Sequence, residues 1–398
     1  MEASSRDPYL IESVAHAAEV LKAFSSPNEV LRLRDLVVRT QYKKGSVFRL
    51  LHTLERSGLV EKVGKNQYRS ALHQHRRRKF KLGYASMGTD SPFCSDVMQG
   101  LKWEADRVET VELLILDNRY RSKVAERNAD IFVREQVDLV MEFQIDEIMA
   151  PIISATYRKA GIPMIAIEIP HPGATYFGAN NYEAGLIGGR ALGRWAKQHW
   201  DGQVDELIFM ELPRAGVVPR ARLTGMLVGV RETLPHLGSC PVVYLDGDGR
   251  FEPSWKAVRT HLQHSISRHT LIGGINDPSA IGALRAFEEA GRLDGCAGMG
   301  QNASPEARQE LRRGSRLVGS VAYFPEKYGA GLIRLALDIL SVKATPLAVF
   351  VEHRLLTAKN VDQLYPNDNL LTSIEMGSGM TARTGWAARS PTGSARPG

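Results

Sequence analysis

Cysteine is scarce in this chain of 398 residues: Cys94, Cys240 and Cys296 are the only three, and they lie far apart. An odd, scattered set excludes a disulfide scaffold and shows no CxxC or Cys/His ligand spacing. Buried free thiols in a reducing cytoplasm are the expectation. Long apolar runs are missing as well. No stretch reaches 18 consecutive apolar residues, so no membrane span is expected. The opening residues, MEASSRDPYLIESVAHA, lack a basic segment followed by an apolar one, so no secretory signal is expected. The signatures of several catalytic machineries are absent too. There is no GxSxG, HExxH or GxxxxGK[ST], and no GxGxxG with the acidic residue that should follow it. An enzyme is not expected, and no cofactor is implied. His73 and His75, without further ligands nearby, are too few for a metal site.

A composition of 43 % hydrophobic and 24 % charged residues is that of an ordinary globular protein, and the length suffices for two or three domains. The net charge of +7 is unevenly placed. Residues 1–81 hold 17 Lys+Arg against 8 Asp+Glu, whereas the other 317 hold 34 against 36. The whole positive excess therefore sits in the N-terminal fifth, as expected of a polyanion-binding module joined to a near-neutral one.

Within that fifth, KKGSVFRLLHTLERSGLVEKVGKNQYR (43–69) is the most telling stretch. Val47, Leu50, Leu51 and Leu54 fall on one stripe of a 3.6-period helix, and Arg49, His52 and Arg56 on the opposite face. Lys43 and Lys44 stand at the helix start, and Gly58 is placed as a C-cap. LVEKVGKNQYR then reads as two strands around a Gly-Lys-Asn turn. A basic amphipathic helix seen alone is more often a solvated surface helix. Its neighbours decide otherwise. Ser13 to Phe24 reads as a helix with Val14, Ala17, Ala18 and Leu21 inward, and Val30 to Thr40 as a shorter one with Leu33, Leu36 and Val37 inward. Three helices and a wing in about 60 residues make a winged helix-turn-helix, whose last helix presents cations and donors to a major groove. Lys43, Lys44, Ser46, Arg49 and His52 are the candidate DNA contacts, with Lys65 in the wing. SALHQHRRRKFK (70–81) has no apolar period and reads as a linker, either a solvated tether or a phosphate contact through Arg76, Arg77 and Arg78.

The motifs SVAHAAEVLKAF, KGSVFRLLHTLERSGLV and QYR resemble those of the IclR-type DNA-binding domain over about residues 9–72.

From Leu82 the pattern changes to strands alternating with helices. FKLGYAS, VELLILD, VDLVMEF, IPMIAIEIP, ATYFGAN, DELIFMEL, CPVVYLDG, TLIGGIND, GCAGMGQ, LVGSVAYF and LAVFVEHRLL read as strands, with helices between most of them. Such alternation implies parallel sheets with right-handed crossovers. This many strands exceeds one compact sheet, so two α/β lobes are expected. Gly185, Gly188 and Gly189 lie inside an apolar helix pattern, which close helix packing explains better than phosphate binding. In open α/β sheets ligands sit outside the carboxyl ends of the strands. The residues there include Asp90, Ser91 and Phe93, Phe143, Gln144 and Asp146, Glu168, Arg222, Asn276, Asp277, Gln301 and Tyr323. Carboxylates, amides, one arginine and aromatic faces make a sugar-like site. Asp277 also reads as a cap on the helix starting at Pro278, Phe93 as core, and Arg222 as a partner of Glu168 in the empty protein.

The stretches ASMGTDSPFCSDVMQGLKWEAD, FGANNYEAGLIGGRALGRW, PRARLTGMLVGV, LIGGINDPSAIGALRAFEEAG and GSVAYFPEKYGAGLIRLALDIL resemble the type-1 periplasmic-binding-protein fold, as in the effector domains of LacI/GalR-type repressors. The resemblance implies ligand contacts at Phe93, Glu168, Arg222, Asn276 and Gln301. Gln301 where sugar binders have Asp, Cys94 where they have a second aromatic, and Glu168-Ile169 where they have Asp-Arg depart from an ordinary pentose or hexose site.

The expected fold is thus α/β: an N-terminal winged helix-turn-helix (1–72), a basic linker (73–81) and a two-lobed, periplasmic-binding-protein-like domain (82–366), followed by a disordered tail (367–398). Lobe 1 is expected at 82–181 and 324–345, lobe 2 at 182–323 and 346–366. The expected function is a cytoplasmic, ligand-responsive transcriptional regulator, a homodimer with an operator DNA and a sugar-like effector as partners and no membrane. The alternative is a sugar-binding protein of a transport system.

Overall fold

A computed structural model describes residues 11–26, 29–71 and 79–368. The expected contacts Arg76, Arg77 and Arg78, and the expected tail from residue 369 onward, lie outside the described residues. The described residues form two compact units. The first holds the residues up to Lys81 together with Asp106–Glu112, the second Leu82–Ala105 and the chain from Leu113 onward.

The first unit is built from α1 (Glu12–Lys22), β1 (Val30–Arg32), α2 (Leu33–Thr40), α3 (Lys44–Arg56), β2 (Val60–Gly64) and β3 (Gln67–Ser70). Its antiparallel sheet has the order β1-β3-β2. Val20, Phe24, Leu31, Leu33, Leu36, Val47, Leu51, Leu54, Val60 and Tyr68 form the core. The inward stripe of α3 is the expected one. That of α1 is not: Val14 and Ala18 are exposed, while Val20 and Phe24 are buried with Ala17 and Leu21 beside them. Both stripes obey the helical period, and the larger apolar residues, Val20 and Phe24, took the core. The residues Val30–Arg32 are a strand rather than helix, because they add an edge to the wing through β3. Helix α3 ends in a Schellman motif. Leu59 N–H donates to the Leu54 carbonyl (2.8 Å) and Gly58 N–H to Glu55 (3.0 Å), with Gly58 at φ +71°. Ser57 is the cap itself, and Gly58 the left-handed residue after it.

The second unit has two six-stranded sheets. One runs β14-β8-β7-β6-β4-β5, where β4 is Phe80–Ser86, β5 Val111–Asp117, β6 Leu139–Glu142, β7 Met164–Ile167, β8 Thr175–Gly178 and β14 Ala348–Phe350. The other runs β10-β9-β11-β12-β13-β15, where β9 is Glu206–Glu211, β10 Val242–Asp246, β11 Thr270–Gly274, β12 Cys296–Asn302, β13 Leu317–Ala322 and β15 Arg354–Leu356. Pairing is parallel from β10 through β9, β11 and β12 to β13 and from β14 through β8, β7 and β6 to β4, whereas β15 lies antiparallel on β13. The crossover helices that matter for the site are α4 (Pro92–Arg107), α5 (Ser122–Arg134), α6 (Ala150–Lys159), α7 (Asn181–Trp200), α8 (Val217–Thr233), α9 (Phe251–Leu262), α10 (Asp277–Glu289), α11 (Pro305–Arg312) and α12 (Tyr328–Leu340).

The chain passes between the sheets three times: after β8, after β13 and between β14 and β15. The expected single strand LAVFVEHRLL is therefore two strands in different lobes, and the last crossing falls at residues 351–353 rather than 346. An unbroken apolar run carries no sign that its two halves serve different sheets. Helices α7 and α8 touch backbone to backbone. A Cβ on Gly185 would strike the Arg222 carbonyl, one on Gly189 the Met226 carbonyl, and one on Gly225 the Tyr182 carbonyl. The glycine cluster is thus a packing device, and it seats Arg222 at the cleft.

Candidate functional site

On the first unit, the outer face of α3 is polar and open. Lys43, Lys44, Phe48, Arg49, His52 and Arg56 are exposed and Ser46 is half-buried. Lys65 is exposed at the tip of the β2–β3 hairpin, where Asn66 takes the left-handed conformation (φ +58°). Phe48 is half exposed on that face and was not among the expected contacts, although it adjoins Arg49 and lies three residues from Gly45 and four from His52, the spacing that places it there.

On the second unit, the carboxyl ends of the two sheets border a cavity of about 620 Å³, the size of a small-molecule site. Its floor is an ion pair that spans the lobes. Glu168 follows β7 in a left-handed conformation (φ +60°), and its Oε2 accepts from Arg222 Nη2 at 2.8 Å. Its Oε1 accepts from Tyr328 Oη (2.6 Å) and Ala179 N (3.1 Å). Arg222 also donates through Nε to Asn181 Oδ1 (2.6 Å) and through Nη1 to the Ile275 carbonyl (3.2 Å), with its guanidinium 5.0 Å from the Tyr323 ring centre. Both charges are almost completely buried and each is answered, which is what burial of an ion pair requires. Phe93 meets Phe143 and Tyr328 edge to face, at 6.1 and 5.7 Å between ring centres, and supplies an apolar wall. Asn276 caps α10, accepting from Ser279 N (3.1 Å) and donating to the Gly249 carbonyl (2.8 Å). At the lip, Glu147 of one lobe lies against Gly216 of the other (φ +85°), where any Cβ would collide with its carboxylate.

Two sheets joined by three crossings, with a cavity between their carboxyl ends, is the architecture of a binding protein, and residues 82–344 match the periplasmic binding protein domain. The chain belongs to that family. Residues 13–64 separately match the IclR helix-turn-helix domain, so the chain joins a DNA-binding type of domain to a binding-protein domain. Solved structures share the fold of the binding-protein domain. One is an ABC transporter solute binding protein from Bacillus halodurans with bound myo-inositol, at 20 % identity and TM-score 0.62, covering 72 % of this chain and 97 % of that one. Another, from Mycobacterium smegmatis with bound glycerol, gives 20 % and 0.65, with 72 % and 96 % covered. A third, from Actinobacillus succinogenes with bound D-allose, gives 18 % and 0.62, with 72 % and 100 % covered. No curated protein matches the chain. No helix among the described residues is long and apolar enough to cross a membrane.

Of the nine expected contacts in this binding-protein domain, the structure brings Asp90, Phe93, Phe143, Glu168, Arg222 and Asn276 to the cavity. Asp277, Gln301 and Tyr323 lie beneath it. Asp277 is fully buried, accepting from Ser320 Oγ and Ser304 N (both 2.6 Å), and it is the first residue of α10 rather than its cap. Burial pushes its carboxyl up to about 7. Gln301 accepts from Tyr323 Oη (2.6 Å), and the two support the floor from below. Gln144 is likewise buried, donating to the Asp146 carbonyl, and Asp146 accepts from Ile148 N at the start of a short helix. Strand ends place a residue near a cleft, but only side-chain alternation decides which of two neighbours faces it. Arg222 sits in the second turn of α8, not at its start.

Sequence reasoning missed Arg119, Tyr120, Arg121, Arg214, Asp248, Arg250, Asn302, Glu306, Arg308 and Glu326, all at the cavity. Most of them follow strands, so the strand-end rule applied to β5, β9, β10 and β12 points to them. Nearby, Glu142 is completely buried between Tyr157 Oη (2.9 Å) and Asn118 Nδ2 (3.0 Å), and desolvation pushes its carboxyl up to about 7.

Proposed function

We propose that this protein is a ligand-responsive transcriptional regulator of the cytoplasm. Its helix-turn-helix unit binds an operator DNA, and its binding-protein unit senses a small polar metabolite, a sugar or sugar derivative. The observation that carries the reading is the union in one chain of an open, basic recognition helix with a two-lobed cleft of ligand size. Lys43, Lys44, Ser46, Arg49 and His52 would meet the major groove, and Lys65 with Arg76, Arg77 and Arg78 the phosphates. Asp90, Phe93, Phe143, Glu168, Arg222 and Asn276 would meet the effector.

The mechanism fits a LacI/GalR-type switch. A ligand that bonds both lobes favours one lobe arrangement over another, and in a homodimer that difference changes the spacing of two DNA-binding heads. Binding of the full-length protein to a random-sequence duplex at two salt concentrations tests the reading. Affinity should fall steeply as salt rises, and Arg49→Ala should weaken binding further. Salt-independent binding, or no DNA binding by either protein, overturns it.

A transport-system solute-binding protein is the second reading, favoured by the similar structures, which are ABC transporter components. Failure of the DNA experiment with ligand binding intact would select it.

A further inference from the structure

We infer that the effector is anionic, a sugar acid or a sugar phosphate, with its acid group held by a rim of four arginines: Arg119, Arg121, Arg214 and Arg250. The inference rests on reading the cleft as the effector site, and adds the chemical class of what it takes.

All four line the cavity. Arg119 and Arg121 follow β5 on an exposed loop, and neither side chain has an ion-pair or hydrogen-bond partner among the described residues. Arg119 and Tyr120 are consecutive left-handed residues (φ +52° and +54°), held there by Arg119 N donating to Asp117 Oδ1 and Tyr120 N to the Met87 carbonyl, both at 2.8 Å. Two adjacent non-glycine residues kept in that region are strained, and such strain clusters at ligand sites.

Arg214 and Arg250 come from the other lobe, after β9 and β10. They share a single carboxylate, Asp248, at 3.0 and 2.7 Å. One anion between two guanidinium groups leaves a positive charge unanswered. Although Arg214 Nε is 3.0 Å from Asp248 Oδ1, the angle is not that of a hydrogen bond, and this buried N–H has no acceptor. The two pairs belong to one rim. Ser122, beside Arg121, donates to Asp146 (2.6 Å); the next residue, Glu147, lies against Gly216, two residues from Arg214.

The other charges of the lining sort differently. Glu168 and Arg222 neutralise each other, and Arg308 is held by Asp368 at 2.6 Å. Asp90, Asp96, Glu306 and Glu326 come from α4 or its approach, from α11 and from the loop after β13. Asp96 is raised above the usual carboxylate range by burial and by Glu326. Carboxylates suit hydroxyl donors, and planar guanidinium forks suit a carboxylate or phosphate. A polyol with an acid group at one end matches that polarity. A neutral hexose leaves the arginine rim facing water.

The test titrates the full-length protein with matched triads, each a neutral sugar, its aldonic or uronic acid and its phosphate monoester. D-glucose, D-gluconate and D-glucose 6-phosphate make the first, and other hexoses and pentoses follow, with binding read by calorimetry and thermal shift. One anionic member should bind at least about tenfold tighter than its neutral parent, and which one does so separates carboxylate from phosphate. The double variant Arg121→Gln, Arg250→Gln should lose that preference. Both side chains are exposed, so its ligand-free melting temperature reports that it still folds. Neutral sugars binding as tightly as their acids would overturn the inference and leave the effector reading standing. No binding by any member would overturn both. A preference unchanged in the folded double variant would remove the acid group from the arginine rim.

Discussion

Glu168 and Arg222 carry the largest single-residue consequence in the cleft. Each is buried and each is the other's counter-charge, so removing one strands the other. Glu168→Ala should lower unfolding free energy by about 3–5 kcal/mol in urea titration, because an uncompensated guanidinium remains inside. Glu142 makes a prediction about pH. Its carboxyl titrates near 7 in the folded chain, above its ordinary value of 4.5. The folded state therefore holds a proton that the unfolded state has lost between those values. The contribution of this group to stability is full below about pH 4.5 and falls as pH rises toward 7. Asp277 behaves in the same sense. Glu142→Gln should flatten, without abolishing, the decline of melting temperature over that range, since Asp277 still titrates. An unchanged slope would show that Glu142 does not hold the proton. At this scale the sequence reveals which residue types gather near strand ends. It does not separate Asn276, which faces the cleft, from Asp277, which turns under it.

Among the elements, α3 and the α7–α8 pair are the ones whose sequence dictates their geometry. Gly58 ends α3 at φ +71°, a conformation that costs a side chain about 1 kcal/mol. Gly58→Ala should lower stability by about that amount, measured by thermal denaturation, even though a Cβ there meets no atom. Gly185→Ala is the opposite case, harmless in backbone angle but colliding with the Arg222 carbonyl. It should cost about 1–3 kcal/mol and weaken effector binding as well, because α8 cannot move away without carrying Arg222 with it. Effector binding equal to wild type, by calorimetry, would detach the helix contact from the site. Alternation of strands and helices was legible throughout this unit because buried parallel strands are apolar runs bounded by amphipathic helices. The exception, LAVFVEHRLL, failed for a physical reason. Each half is a three-residue edge strand whose partner lies elsewhere in the chain: β8 for one, β13 for the other.

The whole molecule joins two sites, and if the proposed function holds they are linked by reciprocity. An effector that changes operator affinity by some factor must have its own affinity changed by that same factor when operator is present. Effector titrations of the full-length protein with and without operator duplex should differ by that ratio, and equal affinities alongside an effector-dependent operator affinity would break the scheme. The charge asymmetry, 17 cations against 8 anions in residues 1–81, belongs to this scale, since it is a property of the chain that folding leaves in place. So do the helical period of α3, the glycine cluster of α7 and the order of strands and helices, which follow from local sequence because period and backbone freedom are local properties. Which stripe of α1 is buried, where the chain crosses between lobes, and that Arg119, Arg121, Arg214 and Arg250 share one cleft with the Glu168–Arg222 pair were decided only by the tertiary structure. Those facts depend on contacts between residues far apart in the chain, and no local pattern encodes which distant partner a side chain meets.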